Sequence, residues 1–505
     1  MKQWILIGVL SVSSATGFAQ SGSVELEEIP NPDPHSYASF GSDVFIQGDQ
    51  AIVLSKGYSS DPQSNGAFYV YNRDAASGAW QLLQKMVHTN QSSLSEWYGS
   101  SAAINGDYFL VGAYHARTTE NEAYPAGAAF MYHRNAAGQW EAGQKLSVLA
   151  GEKANGQQFG SAVALSDKYA AVVAGATQEV YIFENNGSGS WSFVQKISGK
   201  DYLRSDGFKP DFGSSLAIDG DYLYIGAPTD DSDQFGENNL TRSGAIYIFK
   251  REGGNWSLAQ KVTQQNRQSQ SYFGNNISVS GSFLAVGSQE NRQGSVEIFQ
   301  RDRDGKWNFT QKLSPENRLA IDRFGADISF DGDHIAVSAP NYNVEGITYA
   351  GAVFLYKRDL KSNYWTIEDI ITAPNPSNSE RFGNVQLSDG AIAIGVPTRE
   401  TSNSRYAGVI YVSNLPGSQN KAVSGNESLQ LFPNPVRESF SLEVAGKESI
   451  SDIYVFDYTG RQVNVKFDEE LNTVDVKNLS AGVYLLKVRV ENGEVYTREF
   501  TVTAY

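Results

Sequence analysis

An aromatic residue followed by glycine recurs seven times along the chain: Phe40-Gly41, Tyr98-Gly99, Phe159-Gly160, Phe212-Gly213, Phe273-Gly274, Phe324-Gly325 and Phe382-Gly383. From Gly41 to Gly383 is 342 positions in six steps, a mean period of 57. Repetition at such a period means that each unit is one supersecondary element whose apolar surface its neighbours cover. Every copy runs on into an apolar stretch ending near Gly-Ala-Pro, as in "YLYIGAP" at 222–228 and "HIAVSAP" at 334–340. A third stretch opens on glycine, as in "GAIYIFKR" at 244–251 and "GAVFLYKR" at 351–358. A fourth carries tryptophan, in most copies with Gln-Lys four and five residues later. Trp80, Trp140, Trp191, Trp256, Trp307 and Trp365 fill this position and are six of the eight tryptophans in the chain.

Four short strands per repeat, separated by Gly, Asn and Asp turns and free of helical periodicity, predict a β-propeller blade. Seven copies predict seven blades. The tryptophans read as packing residues, since each indole buries roughly 150–250 Å². Each Phe-Gly glycine is expected to permit close backbone approach near the axis while the ring wedges between blades. The seventh copy breaks the pattern, because "GVIYVSNLPGSQNK" at 408–421 leaves its third strand without a fourth. Ile29 precedes Phe40 by 11 positions, as Val262 precedes Phe273 and Ile371 precedes Phe382. Residues 23–29, "SVELEEI", are therefore expected to close blade seven and cover an exposed sheet edge.

The Phe-Gly…Gly-Ala-Pro units resemble the FG-GAP repeats of the integrin α-subunit propeller and its bacterial relatives, over roughly residues 24–413. The resemblance implies calcium loops of the form Asp-x-Asp-x-Asp-Gly between first and second strands in several blades. Here those connections are short, as in "NGDY" at 105–108, "DGDY" at 219–222 and "DGDH" at 331–334. Asn-Gly and Asp-Gly suit two-residue hairpins, and such turns cannot wrap an ion that needs six to eight oxygens. No cofactor is expected. The acidic cluster in "TDDSDQFGEN" leaves Asp230, Asp231 and Asp233 as the calcium candidates.

Past a polar linker the repeat ends and a separate domain begins. Its landmarks are "LFPNPV" at 431–436, "IYVFDYTGRQV" at 453–463 and "LSAGVYLLKV" at 479–488, whose alternating strands suggest a small Ig-like antiparallel β-sandwich. In this order they resemble the type A C-terminal sorting domain of the type IX secretion system of Gram-negative bacteria. That resemblance implies contact with the secretion machinery, export across the outer membrane, and a protein on the cell surface or outside the cell. The chain departs from the family in ending "TREFTVTAY", where members often end on basic residues. At the other end, Lys2, the apolar run Trp4–Val12 and the small residues Gly17 and Ala19 read as a secretory signal peptide over 1–19. The expected division is a signal peptide at 1–19, an all-β propeller at 20–413, a linker at 414–426 and the sorting domain at 427–505.

Composition narrows the partners. The chain has no cysteine, so disulfides, thiol nucleophiles and thiolate metal sites are excluded. A formal charge of −16 opposes binding to nucleic acid, and no later stretch has the roughly 18 apolar residues of a membrane span. Loops joining second to third strands share one propeller face with the loops joining blades. Tyr114, Arg117, Tyr124, Phe235, Arg242, Tyr342, Tyr349, Arg399, Arg405 and Tyr406 lie in the long ones and are the ligand-binding candidates.

Catalysis is less legible. His35, His88, His115, His133 and His334 fit no metal-ligand spacing and stand beside no nucleophile motif. Asp43 and Asp327, each two residues after a Phe-Gly glycine, are a carboxylate pair that could serve a glycosidase. The sequence reading is a binding or adhesion protein rather than an enzyme, its partner an extracellular protein or polysaccharide. A glycan-processing enzyme and a structural surface component are the alternatives.

Overall fold

The computed structural model describes residues 24–503 except 57–65, 75–76, 88–95, 118–123, 150–155, 188, 203–210, 316–321, 402–403, 416–428, 433–435, 445–449, 458–461, 469–470 and 491–494. The expected signal peptide, most of the expected linker and His88 lie outside the described residues. Among the described residues nine four-stranded antiparallel sheets are formed, seven in residues 27–414 and two in 429–502. The expected all-β architecture of seven blades and a small C-terminal sandwich is therefore present.

Six blades are simple meanders of consecutive strands. Blade four shows the pattern, with Leu216–Asp219, Tyr222–Ala227, Ala245–Glu252 and Asn255–Thr263 side by side in chain order. Asp219 pairs with Tyr222, so the acidic turn between them is a two-residue hairpin. The strands alternate between two covered faces; Leu223, Ile225, Ile246 and Ile248 are all buried. In blade seven, Glu27–Pro30 pairs with Val409–Asn414, setting Ile29 opposite Ile410. The outer edge of the last blade is thus a strand from the start of the propeller, residue 29 meeting residue 410.

What joins blade to blade is a repeated side-chain clamp. Gln84 donates to the carbonyl of Trp140 at 2.8 Å and accepts from its N–H at 2.9 Å. The same two bonds, at 2.8–2.9 Å, run from Gln144 to Trp191, Gln195 to Trp256, Gln260 to Trp307 and Gln311 to Trp365. These are the glutamines of the Gln-Lys motif. They satisfy the outward N–H and C=O of the next blade's outer strand, groups no sheet neighbour reaches. Four of the five clamped tryptophans are also met edge-on by a ring of the preceding blade: Trp191 by Tyr108, Trp256 by Tyr169, Trp307 by Tyr224 and Trp365 by Phe283. After Trp365 the clamp changes, for Asp369 takes the glutamine position and accepts from Val24 N–H across the junction and from its own neighbour Ile370 N–H.

Nearer the axis the Phe-Gly pairs make a second seam. Phe40 and Phe159 are fully buried and pair in parallel with Gly408 and Gly127, the third-strand glycines of the preceding blades. A Cβ on Gly351, which has φ +89°, would stand 2.3 Å from the Phe382 carbonyl oxygen. No side chain fits there. The C-terminal unit packs its two sheets around Val436, Phe440, Val455, Val474, Leu486, Val488 and Phe500.

Replacing Gln260 by alanine leaves the Trp307 N–H and C=O unpaired and should cost about 1–3 kcal/mol, whereas Gln81→Ala, on an exposed strand position, should stay within about 0.5 kcal/mol. Urea unfolding of the two variants checks this; equal effects would remove the clamp from its structural role.

Candidate binding face

The face made by the second-to-third-strand loops and the blade-to-blade loops is organised by one backbone motif. The residue before every Phe-Gly pair adopts left-handed geometry: Ser39, Trp97, Gln158, Asp211, Tyr272, Arg323 and Arg381 have φ between 49° and 58°. None is glycine. Non-glycine residues held there cost about 1–3 kcal/mol each. In blades four to seven the residue two before the third-strand glycine does the same: Arg242 at φ 52°, Arg292 at 67°, Tyr349 at 54° and Tyr406 at 51°.

The two sets are bonded to each other across blade boundaries. Tyr272 N–H donates to the Arg242 carbonyl at 3.0 Å, Arg323 to Arg292 at 3.3 Å, Arg381 to Tyr349 at 3.0 Å and Ser39 to Tyr406 at 2.9 Å. Four consecutive junctions therefore present a pair of side chains on identical backbone, and seven of those eight side chains are Arg or Tyr. Sequence reasoning had Arg242, Tyr349 and Tyr406 and missed Tyr272, Arg292, Arg323 and Arg381. The position before Phe-Gly, read down the seven copies, was the available signal.

The remaining candidates scatter. Tyr124 and Phe235 are 68% and 78% exposed. Tyr114 is half-buried, its ring 5.7 Å from Trp97 and 4.7 Å from His115. The Arg117 carbonyl accepts from Lys145. Tyr342 faces inward, edge-on to Phe354 at 5.6 Å in the core of blade six. Arg399 is paired with Glu380, which is 1% exposed, and holds a neighbouring loop through the Asn375 carbonyl at 2.9 Å. Exposed Arg405 accepts through its carbonyl from Tyr37 N–H, and the Tyr37 ring lies 5.5 Å from that of Tyr406.

Between blades five and six the face opens into a cavity of about 330 Å³, lined by Asn275, Ser288, Gln289, Arg292, Arg323, Asn341 and Tyr349 and floored by Phe324-Gly325-Ala326. Both guanidinium groups are exposed, and among the described residues no carboxylate pairs with either. Elsewhere arginines are engaged: Arg134 with Asp107, Arg251 with Asp221, Arg358 with Asp333.

The acidic loop beside blade four is committed to structure. Buried Asp230 pairs with Lys261 at 2.9 Å and accepts from Tyr247 at 2.6 Å and from Ser232 at 2.8 Å. Burial pulls the Lys261 pKa down, against the pull of Asp230. Asp231 accepts from the Arg242 N–H at 2.5 Å, and Asp233 accepts from Phe235, Glu237 and Asn238 at 2.6–2.9 Å. The three carboxylates point to three different sets of donors, and no acidic or histidine cluster of metal-binding geometry occurs among the described residues.

At the axis the first strands bring distant residues together. Asp43 and Asp327 interact electrostatically, with Lys56 beside both. Each keeps some accessible surface in the channel while protein surrounds it, and that enclosure governs its charge. Desolvation is the main cause pushing the Asp43 carboxyl up to about 7, Asp327 adding to the rise and Lys56 opposing it. Asp327 is raised too, also by desolvation, and is held by Val385 N–H at 2.8 Å and Ile328 N–H at 2.9 Å.

With this geometry in place, comparison with known families finds the FG-GAP repeat at residues 191–249 and 307–356, and the Secretion system C-terminal sorting domain at 430–503. The chain carries FG-GAP repeats and a type IX sorting domain. The sorting domain marks it for export by type IX secretion to the cell surface or extracellular space. Among the described residues no helix is long and apolar enough to cross a membrane. No curated protein matches.

Similar solved structures include a protein from Lactobacillus plantarum, at 15% identity and TM-score 0.44, covering 67% of this chain and 86% of that one. Another is the periplasmic gluconolactonase of Pseudomonas aeruginosa, at 16% identity and TM-score 0.42, covering 65% and 84%. A protein from Bacteroides uniformis assigned as a 6-phosphogluconolactonase has 13% identity and TM-score 0.46, covering 70% and 94%. These neighbours correct the expectation that the chain is no enzyme, because proteins titled as lactonases stand among its structural matches. The likeness is one of fold, and a propeller fold is compatible with catalysis. The shared position after a Phe-Gly glycine had pointed to Asp43 and Asp327, and the ring brings these two distant residues within electrostatic reach of each other.

A folded-state pKa near 7 lies above the roughly 3.9 of an exposed aspartate, so Asp43 contributes stability below about pH 4 that is lost as pH rises towards 7. Buried Glu297, also raised to about 7 by desolvation, has the same sign. Asp43→Asn should flatten part of the fall in Tm between pH 5 and pH 8, and adding Glu297→Gln should flatten more; an unchanged slope in thermal melts would show that neither carboxyl is protonated in the folded protein.

Proposed function

We propose that the protein is a surface or secreted binding protein that recognises an extracellular protein or polysaccharide on the loop face of its propeller. The observation that carries this reading is the pair Arg292 and Arg323, exposed beside a cavity without carboxylate partners in a chain of net charge −16. Two like charges held together on strained backbone weaken the free protein, and a ligand that neutralises them recovers that energy. Tyr349 and the Tyr37–Tyr406 pair add rigid aromatic area on the same face. Export to the cell surface or extracellular space through the sorting domain supports this reading.

A second reading follows from the axis. Asp43, with its raised pKa, is suited to hold a proton near neutrality, Asp327 is fixed by two backbone N–H groups, and Lys56 adds a cation. Glycan processing uses such carboxylate pairs, one as acid and the other as base or nucleophile.

An array of extracellular proteins and polysaccharides, probed with the mature chain, separates the two. Binding is expected to be saturable and weakened about tenfold or more by Arg292→Ala and Tyr406→Ala; loss of all binding across the array would sink the recognition reading. New reducing ends that appear with the wild type and vanish with Asp43→Asn would establish the second.

A further inference from the structure

We infer that the ligand of the loop face is an acidic polysaccharide, a chain bearing a carboxylate or sulfate at regular intervals, laid along the arc from blade four to blade one. This rests on the loop-face reading above and narrows it. Arg242–Tyr272, Arg292–Arg323, Tyr349–Arg381 and Tyr406–Ser39 occupy four successive blade junctions on the same bonded pair of left-handed residues. The propeller's rotation thus repeats one presentation along a curved track. A ligand that repeats its own chemistry engages such a track at several points at once, whereas a folded protein surface has no comparable period.

The side chains match that chemistry. Guanidinium groups take carboxylate or sulfate oxygens in paired hydrogen bonds, and tyrosine rings lie flat against the apolar faces of sugars. Among the described residues no carboxylate pairs with Arg292 or Arg323, Arg381 is exposed, and Arg242 bonds the Tyr272 hydroxyl at 3.2 Å, with Asp211 and Asp231 within electrostatic reach. The nearby acids are spent on other partners: Glu290 is bonded to Lys312, Glu380 to Arg399, and Asp231 to the Arg242 backbone. The two most exposed aromatic rings among the described residues, Tyr124 and Phe235, are not among the eight paired residues.

The backbone supplies an unusual test. At φ 56° and 55°, Arg323 and Arg381 occupy geometry that glycine prefers, so Arg323→Gly and Arg381→Gly delete the cation without straining the fold. The full mature chain and these variants are titrated with polygalacturonate, monomeric galacturonate, neutral dextran and a panel of extracellular proteins, at low and high salt, with thermal melts as a folding control. Expected are salt-sensitive binding of polygalacturonate, far weaker binding of the monomer because the sites act together, none of dextran, and about tenfold loss per arginine. Equal binding of dextran, or polygalacturonate binding unmoved in a folded Arg323→Gly/Arg381→Gly double variant, overturns the inference. A protein that binds in an arginine-dependent way while polygalacturonate fails overturns the ligand class and leaves the loop-face reading standing. Failure of every probe overturns both.

Discussion

The propeller depends on one carboxamide at each of five successive blade junctions. A meander of four strands leaves its outermost strand with N–H and C=O groups that its own sheet cannot satisfy, and an exposed edge invites pairing with other chains. Gln84, Gln144, Gln195, Gln260 and Gln311 each reach across to the next tryptophan backbone with one donor and one acceptor. An amide side chain offers both at once, on two separate atoms. The bond fixes how far the next blade is displaced, which sets its indole against the aromatic ring of the blade before. Inside that radius the Phe-Gly seam has no freedom left, and the third-strand glycines are obliged to touch the following Phe backbone.

This rigid inner geometry is what gives the loop face its order. Because the seam repeats, the residue before each Phe-Gly pair is forced into the same left-handed conformation whatever its side chain. Serine, tryptophan, glutamine, aspartate, tyrosine and arginine all appear there. The scaffold determines where these side chains emerge, and the local sequence determines only which chemistry emerges. Strain at a position whose side chain is free to vary is the arrangement expected where display, not packing, is being preserved.

Much of this was legible in the sequence because repetition amplifies weak signals. One Phe-Gly or one Asp-Gly turn says little, but seven in register named the blade, and the missing fourth strand of the last copy was visible as a gap. The Gln-Lys motif was visible too, though not its role, since the partner of Gln260 is a backbone 47 residues away. Site residues were legible by composition alone. Tyr342 and Arg399 sit in promising loops yet turn inward, to Phe354 and to buried Glu380, and the choice between facing in and facing out is settled by neighbours from other blades. Arg323 and Arg381 were hidden because each stands directly before a Phe-Gly pair that reads as packing. The Asp43–Asp327 juxtaposition exists only once the ring is closed.

Closure itself has a direction in time. The strand Glu27–Pro30 completes a sheet whose other members end at Asn414, so the earliest-made strand of the propeller can dock only after the last of its partners exists. Joining segments so far apart in sequence is entropically the most expensive step of the fold. It is also the step with the weakest clamp, since Asp369 offers the closing segment one acceptor in place of a carboxamide. The ring therefore behaves as a chain of blades with a latch at one seam, and a nascent chain that has passed Ile371 but not reached Val409 carries six complete blades beside an open edge.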